Sequence, residues 1–143
     1  MLVSIYTDGA ARGNPGPAGV GVVIKKGATT LAEVADFIGK ATNNVAEYMA
    51  FIRGLEEALL LGATKAECFL DSELLVKQFL GEYRVKNEGL APLYHHAKAL
   101  IKKFKTFSIS HTVREENKHA DRLANEGIDR QALNKSPLFD KIE

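Results

Sequence analysis

Long apolar runs, a second cysteine and an excess of charge of either sign are all missing from this 143-residue chain. No stretch approaches the roughly 20 consecutive apolar residues that a helix needs to cross a bilayer, so no membrane partner is expected. The one apolar run near the start is interrupted by Asp8, and the basic region and cleavage site of a secretory signal are lacking, which points to the cytoplasm. Cys68 is the single cysteine; it cannot form an intrachain disulfide, and within the apolar run Ala66 to Leu70 it reads as a small core residue. A net charge of +1 argues against holding a polyanion by bulk electrostatics. Internal repeats and low-complexity segments are also absent. Gly13 to Gly19 does not contain the phosphate loop G-x-x-x-x-G-K-[ST], and Gly39-Lys40 lacks its upstream glycine, so a nucleoside-triphosphatase is excluded. No Ser/His/Asp order sits at a nucleophile elbow.

What remains is the composition of one globular domain, 45% hydrophobic and 26% charged, long enough to bury a core without metal or disulfide staples. Alternation predicts strands over Leu2 to Thr7, Gly19 to Lys26 and about Leu31 to Gly39, an antiparallel meander. The period then lengthens. Val45, Tyr48, Met49, Ile52, Leu55 and Leu59 mark a helix that Asn43-Asn44 starts and Gly62 stops. A buried strand follows over Ala66 to Asp71, then a helix from Ser72 to about Leu80, a polar linker over Gly81 to Gly89, and an amphipathic helix from Leu90 to Phe104. Thr106 to Val113 reads as a strand and Asn117 as the cap of a last helix. The order βββαβααβα implies an α/β fold with a mixed five-stranded sheet flanked by helices: strands 1–3 antiparallel, strands 1, 4 and 5 parallel. The domain is expected over residues 1–130, followed by a tail, 131–143, carrying Leu138, Phe139 and Ile142.

Four acids stand out by position. Asp8 ends strand one and Asp71 ends strand four; if those strands are parallel neighbours, both acids lie at the carboxyl edge, where open α/β sheets bind ligands. Glu47 falls in the first turn of the long helix and Asp121 in the first turns of the last. Each also has a local reading. Asp8 fits a turn, Glu47 the third residue of a capping box from Asn44, Asp71 a helix cap, and Asp121 a partner of the helix dipole. Four carboxylates gathered at one edge would repel one another, so a cluster implies cations. Mg²⁺ suits carboxylate oxygens, and a pair of such ions is a standard device for in-line phosphodiester cleavage.

"TDGAARGNPGPAG" (Thr7 to Gly19), "TNNVAE" (Thr42 to Glu47), "LDSELLVK" (Leu70 to Lys77) and "ENKHADRLAN" (Glu116 to Asn125) fall in the order and spacing of type 1 ribonuclease H, which the chain resembles from the first strand to the last helix. The resemblance implies the ribonuclease H-like fold and endonucleolytic hydrolysis of the RNA strand of an RNA–DNA hybrid. Two Mg²⁺ (or Mn²⁺) ions would act there, leaving 5′-phosphate and 3′-hydroxyl ends. It carries catalysis and metal binding onto Asp8, Glu47, Asp71 and Asp121, with Asp8 bridging both ions and Asp121 on the water side. The 2′-hydroxyl of RNA in a wide minor groove is read by short polar groups, for which Asn14, Asn43 and Asn44 match the family positions. Glu73 stands where some relatives have Gln. Lys40, Thr42 and Asn87 match a pocket for a DNA-strand phosphate. No obligate protein partner is evident, and a monomer is expected.

Two departures qualify the resemblance. Only "GEYRVKNEGLAPLY" (Gly81 to Tyr94) occupies the place of the basic protrusion of many relatives, which leaves Lys98, Lys102 and Lys105 as a substitute basic face or a solvated one. The segment "VREENKHAD" (Val113 to Asp121) is too short for the histidine-bearing loop found in several relatives, with Arg114 and His119 as candidate auxiliaries. His95, His96 and His111 read as surface residues. The competing reading is a catalytically inactive hybrid- or RNA-binding module of the same fold, against which stands the retention of all four acids.

Overall fold

Alternate residues of the central strands face opposite helical layers, and this decides the architecture of the computed structural model, which describes residues 1–134. On one face Val3, Ile5, Val22, Ile24, Ala66, Cys68 and Leu70 join Phe51, Leu55, Leu75 and Leu100 in the main core. On the other face Val23 and Ala35 pack with Ala120 and Leu123, with Tyr6 at the margin. Each fully buried Phe, Leu or Ile contributes roughly 1.5–3 kcal/mol, so the first cluster dominates stability.

The strands are β1 (Leu2–Ala11), β2 (Gly16–Lys26), β3 (Thr29–Ala41), β4 (Lys65–Leu70) and β5 (Thr106–His111). They form one sheet of order β3-β2-β1-β4-β5. β1, β2 and β3 are antiparallel, and β4 and β5 run parallel to β1, as the element order implies. The helices are α1 (Asn43–Leu60), α2 (Glu73–Phe79), α3 (Ala91–Ile101) and α4 (Lys118–Asn134), the last preceded by a 3-10 turn over Arg114–Asn117. α1, with α3 against it, covers the main core, and α4 crosses β1, β2 and β3 on the opposite face. Among the described residues no helix is long and apolar enough to cross a membrane.

Several expected boundaries move. β1 continues through Asp8 to Ala11 and β2 begins at Gly16, so most of the glycine- and proline-rich stretch is strand and only residues 12–15 connect the two. Thr42, not Asn43 or Asn44, caps α1, its Oγ1 accepting the Val45 N–H at 3.2 Å. Glu47 therefore lies beyond the first turn and is no capping-box acid. Ser72, not Asp71, caps α2 by accepting the Leu75 N–H at 3.3 Å. β5 stops at His111, short of Val113, because the chain enters the 3-10 turn. Asn117 closes that turn with a buried side chain and does not cap α4. α4 runs to Asn134, past the expected domain end at residue 130; the rest of the expected tail, 135–143, lies outside the described residues.

Candidate active site

Parallel pairing of β1 with β4 ends at Thr7 opposite Leu70, and the next residue on each side is an acid. The register alone thus sets Asp8 and Asp71 side by side at the carboxyl edge.

Glu47 and Asp121 arrive there because two glycines remove side chains from the strands. A Cβ on Gly9 would lie 2.1 Å from the Ala46 carbonyl carbon and 2.3 Å from the Glu47 nitrogen, so α1 can pass over β1 at that height only above a glycine. Gly21 is paired with Asp8 across β1 and β2, and a Cβ there would lie 1.9 Å from the Ala120 carbonyl oxygen. α4 therefore approaches the other face at the residue before Asp121. Asp8, Glu47 and Asp71 each offer a carboxylate oxygen within 4.8 Å of one another. Asp121 stands outside that group but close enough to Asp8 to raise its carboxyl.

The environment of this cluster is negative, with Asp8 buried and the other three acids partly exposed. Asp8 is only 7% exposed, and burial first, then the hydrogen bond and charge of Asp121 and the charge of Asp71, push its carboxyl up to about 9. Glu47 is raised chiefly by burial and further by Asp71, against donors on Ser72 and Asn43 that favour its ionised form. Among the described residues, no Lys or Arg pairs with any of the four acids, while the ion pairs that do form lie elsewhere, for example Arg12 with Asp129 at 2.7 Å. Concentrated carboxylate oxygens without a protein cation are the donor set of a hard divalent ion. The residues present fit such an ion.

The other expected site residues fall into two groups. The Asn14 Oδ1 accepts the Asn43 N–H at 3.2 Å, which seats the β1–β2 connection against the start of α1. Asn43 in turn donates through Nδ2 to Glu47 Oε1 at 3.1 Å, and Asn44 is exposed on the same turn. Glu73, at the start of α2, is exposed and paired with Lys77 at 2.7 Å, which holds its carboxyl below the usual range. The DNA-phosphate set is less assembled. The Thr42 hydroxyl caps α1, Asn87 Oδ1 accepts the Gly89 N–H at 2.7 Å, Lys40 is exposed at the end of β3, and no hydrogen bond joins the three.

Among the auxiliary candidates, Arg114 is exposed at the start of the 3-10 turn. His119 points away from the acids: its Nε2 lies 3.1 Å from Glu33 Oε2, and Glu33 pairs with Val23, which pairs with Tyr6, two residues back from Asp8. His111, read from sequence as a surface residue, is exposed but sits at the site edge with Nε2 3.2 Å from the Asp71 carbonyl. Lys98, Lys102 and Lys105 are exposed. Cys68 is buried, and burial drives its thiol far above the usual range, as befits a core residue.

Sequence reasoning gave Asn117 only the role of a helix cap. It is 1% exposed, and its Nδ2 donates to the carbonyl of Thr7 at 2.9 Å, tying the entry of α4 to the residue before Asp8. Among the described residues its Oδ1 has no partner. An Asn just ahead of a helix reads as a cap, which hides such a role.

Residues 6–127 match the reverse transcriptase-like family. A bifunctional protein of Mycobacterium tuberculosis is 47% identical over 134 residues, covering 92% of this chain and 37% of that protein, so the chain spans little more than a third of that relative's length. The solved N-terminal RNase H domain of that protein superposes with a TM-score of 0.87 at 46% identity, covering 90% of this chain and 99% of the domain. Ribonuclease HI of Halobacterium salinarum is 44% identical over 128 residues, 89% of this chain and 64% of the relative. The crystal structure of that archaeon's RNase H1 gives a TM-score of 0.89 at 44% identity, over 91% of this chain and 99% of that one. A compost-derived RNase H1 crystallised with an RNA/DNA hybrid is 43% identical, with a TM-score of 0.87 over 91% of this chain and 99% of that one.

Proposed function

The chain belongs to the reverse transcriptase-like family of type 1 ribonuclease H domains, and from that premise we propose that it hydrolyses the RNA strand of RNA–DNA hybrids endonucleolytically, leaving 5′-phosphate and 3′-hydroxyl ends. The observation that carries this reading is the group Asp8, Glu47 and Asp71, with donor oxygens within 4.8 Å of one another and, among the described residues, no lysine or arginine paired with them.

Asp8, Glu47, Asp71 and Asp121 would hold two divalent ions. Such ions supply an attacking water of lowered pKa and stabilise charge on the leaving oxygen. The protein's own contribution is positioning. Asn43 donates to Glu47 and offsets part of the burial that raises its carboxyl, while burial and its acidic neighbours keep Asp8 poised to exchange a proton for a cation. The burial of Asp8 strengthens the electrostatic contacts it makes.

Hybrid recognition follows from the same edge. Asn14, Asn43 and Asn44 form one short polar strip between the β1–β2 connection and α1, suited to 2′-hydroxyls in a shallow groove. Glu73 can accept from a base or hydroxyl but not donate. Lys40, Thr42 and Asn87 would serve a DNA phosphate, the Thr42 hydroxyl proton and the Asn87 Nδ2 donating while their oxygens accept the Val45 and Gly89 N–H groups.

The test is cleavage of an end-labelled RNA–DNA hybrid with Mg²⁺, Mn²⁺ or EDTA beside matched RNA–RNA and DNA–DNA duplexes, together with Asp71→Asn. Metal-dependent cuts confined to the hybrid's RNA strand and lost in Asp71→Asn are expected. Equal, negligible turnover by both folded proteins, with hybrid binding intact, would overturn the nuclease reading in favour of a binding module.

A further inference from the structure

α2 is only 7 residues long, too short to hold itself together as an isolated helix, yet it follows directly on the turn that carries Asp71 and Ser72. Its orientation must come from what grips it: Leu75 and Val76 are buried in the main core, and polar contacts at its two ends face α1. At its start Ser72 caps the helix by accepting the Leu75 N–H, and its hydroxyl faces Glu47 closely enough to favour that carboxyl's ionised form. Near its end Gln78 Oε1 accepts the hydroxyl proton of Tyr48 in a buried bond, with Tyr48 1% and Gln78 5% exposed. Glu47 and Tyr48 are consecutive in α1, so both attachments refer α2 to the same turn. Phe79 packs beside them, its ring 5.8 Å from that of Tyr48 and 5.0 Å from that of Phe51.

We propose that the Tyr48–Gln78 bond is a strut that fixes α2 on α1, and thereby Asp71 against Glu47, making Tyr48 and Gln78 positioning residues for the cation site. The aromatic contacts supply burial but allow α2 to slide or turn; a single buried hydrogen bond does not. A Phe–Leu pair would fill the same space without desolvating a hydroxyl and an amide, so bulk stability does not call for the polar pair. What the pair adds is direction. The inference rests on the metal reading of the acids given above.

The experiment is Mn²⁺ titration calorimetry without nucleic acid on wild type, Tyr48→Phe, Gln78→Leu, Tyr48→Phe/Gln78→Leu and Asp71→Asn, with melting temperatures in EDTA. Tyr48→Phe leaves the Gln78 carbonyl buried without a partner and should melt lower. The double variant removes both polar groups and should recover most of that loss. Because each change breaks the same bond, all three should share one loss of Mn²⁺ affinity, about 3- to 10-fold, below the 10- to 100-fold typical of groups bonded directly to a ligand. A double variant that regains affinity along with its melting temperature, or losses that multiply, would overturn the strut. If the double variant melts too low to titrate, wild-type affinity in Tyr48→Phe, measured cold, overturns it equally. A wild type without Mn²⁺ affinity, or an Asp71→Asn variant with full affinity, refutes the metal reading itself and the strut with it.

Discussion

Replacing Gly21 by alanine puts the placement of Asp121 directly at risk. The new Cβ would lie 1.9 Å from the Ala120 carbonyl oxygen and 2.6 Å from the Ala124 nitrogen, both backbone atoms of α4 that no side-chain rotation can clear. Restoring even 3.0 Å to the oxygen requires a relative shift of at least 1.1 Å between α4 and β2. Overpacking of this kind costs roughly 1–3 kcal/mol. For a domain of this size that lowers the melting temperature by about 3–10 °C. Asp121 is the residue after Ala120, so it moves with the helix, and misplacement by about 1 Å can cost on the order of 100-fold in rate. Gly27→Ala is the matched control: it introduces a Cβ at φ 60° with nothing within 4 Å, so it strains one turn and leaves the site alone. Thermal melts and hybrid-cleavage rates of both variants decide the matter. Gly21→Ala with reduced stability but wild-type rate and metal affinity would refute the idea that the close approach of α4 sets the site.

Three further outcomes follow from the same geometry. The native Asp8 carboxyl keeps its proton up to about 9 whereas the unfolded chain releases it near the ordinary 3.8, so across that window the native state binds more protons and stability in EDTA falls as pH rises. Mg²⁺ competes with the proton and should flatten or reverse the trend; melting temperatures flat with pH in EDTA would deny that Asp8 is desolvated. Asn117→Ala strands the buried Thr7 carbonyl and should cost about 1–3 kcal/mol in denaturant melts, with a value near zero refuting the tie between α4 and β1. Arg12→Ala removes an ion pair between side chains 45% and 64% exposed and should change stability by less than about 1 kcal/mol, an effect that shrinks with salt.

The antiparallel meander of β1 to β3, the parallel sense of β4 and β5 and the meeting of Asp8, Glu47 and Asp71 were legible in the sequence, because alternation and helical period report on burial and because two acids closing neighbouring parallel strands lie together. Boundaries were less so. The Gly and Pro of residues 9–18 fell between the expected strands since those residues punctuate strands by propensity, yet Gly9 is a strand position emptied for the backbone of α1. Such tertiary approach leaves no local signature. The same limit explains Asn117 and Tyr48, whose periodicity places them at a helix start or on a core face while their partners, Thr7 and Gln78, are far away in the chain. His111 escaped because its contact is with the backbone of Asp71, which no side-chain pattern announces.

The site's electrostatics also bear on how the fold tolerates it. Without a cation, Asp8, Glu47, Asp71 and Asp121 crowd one edge with no lysine or arginine paired to them among the described residues, and burial makes ionising Asp8 harder still. The metal-free protein therefore holds a destabilising arrangement in place by means that have nothing to do with charge: a parallel register, two glycines that admit helix backbones, and buried polar ties at Asn117 and Gln78. A cation that binds only the folded site adds stability by mass action, about 2.7 kcal/mol at 100 times its dissociation constant. Preorganisation of this kind means that the acids need not be gathered by the ion when it arrives. Variants that loosen the packing should consequently lose metal affinity before they lose the fold, whereas variants of the acids themselves should lose metal affinity while the metal-free fold grows more stable.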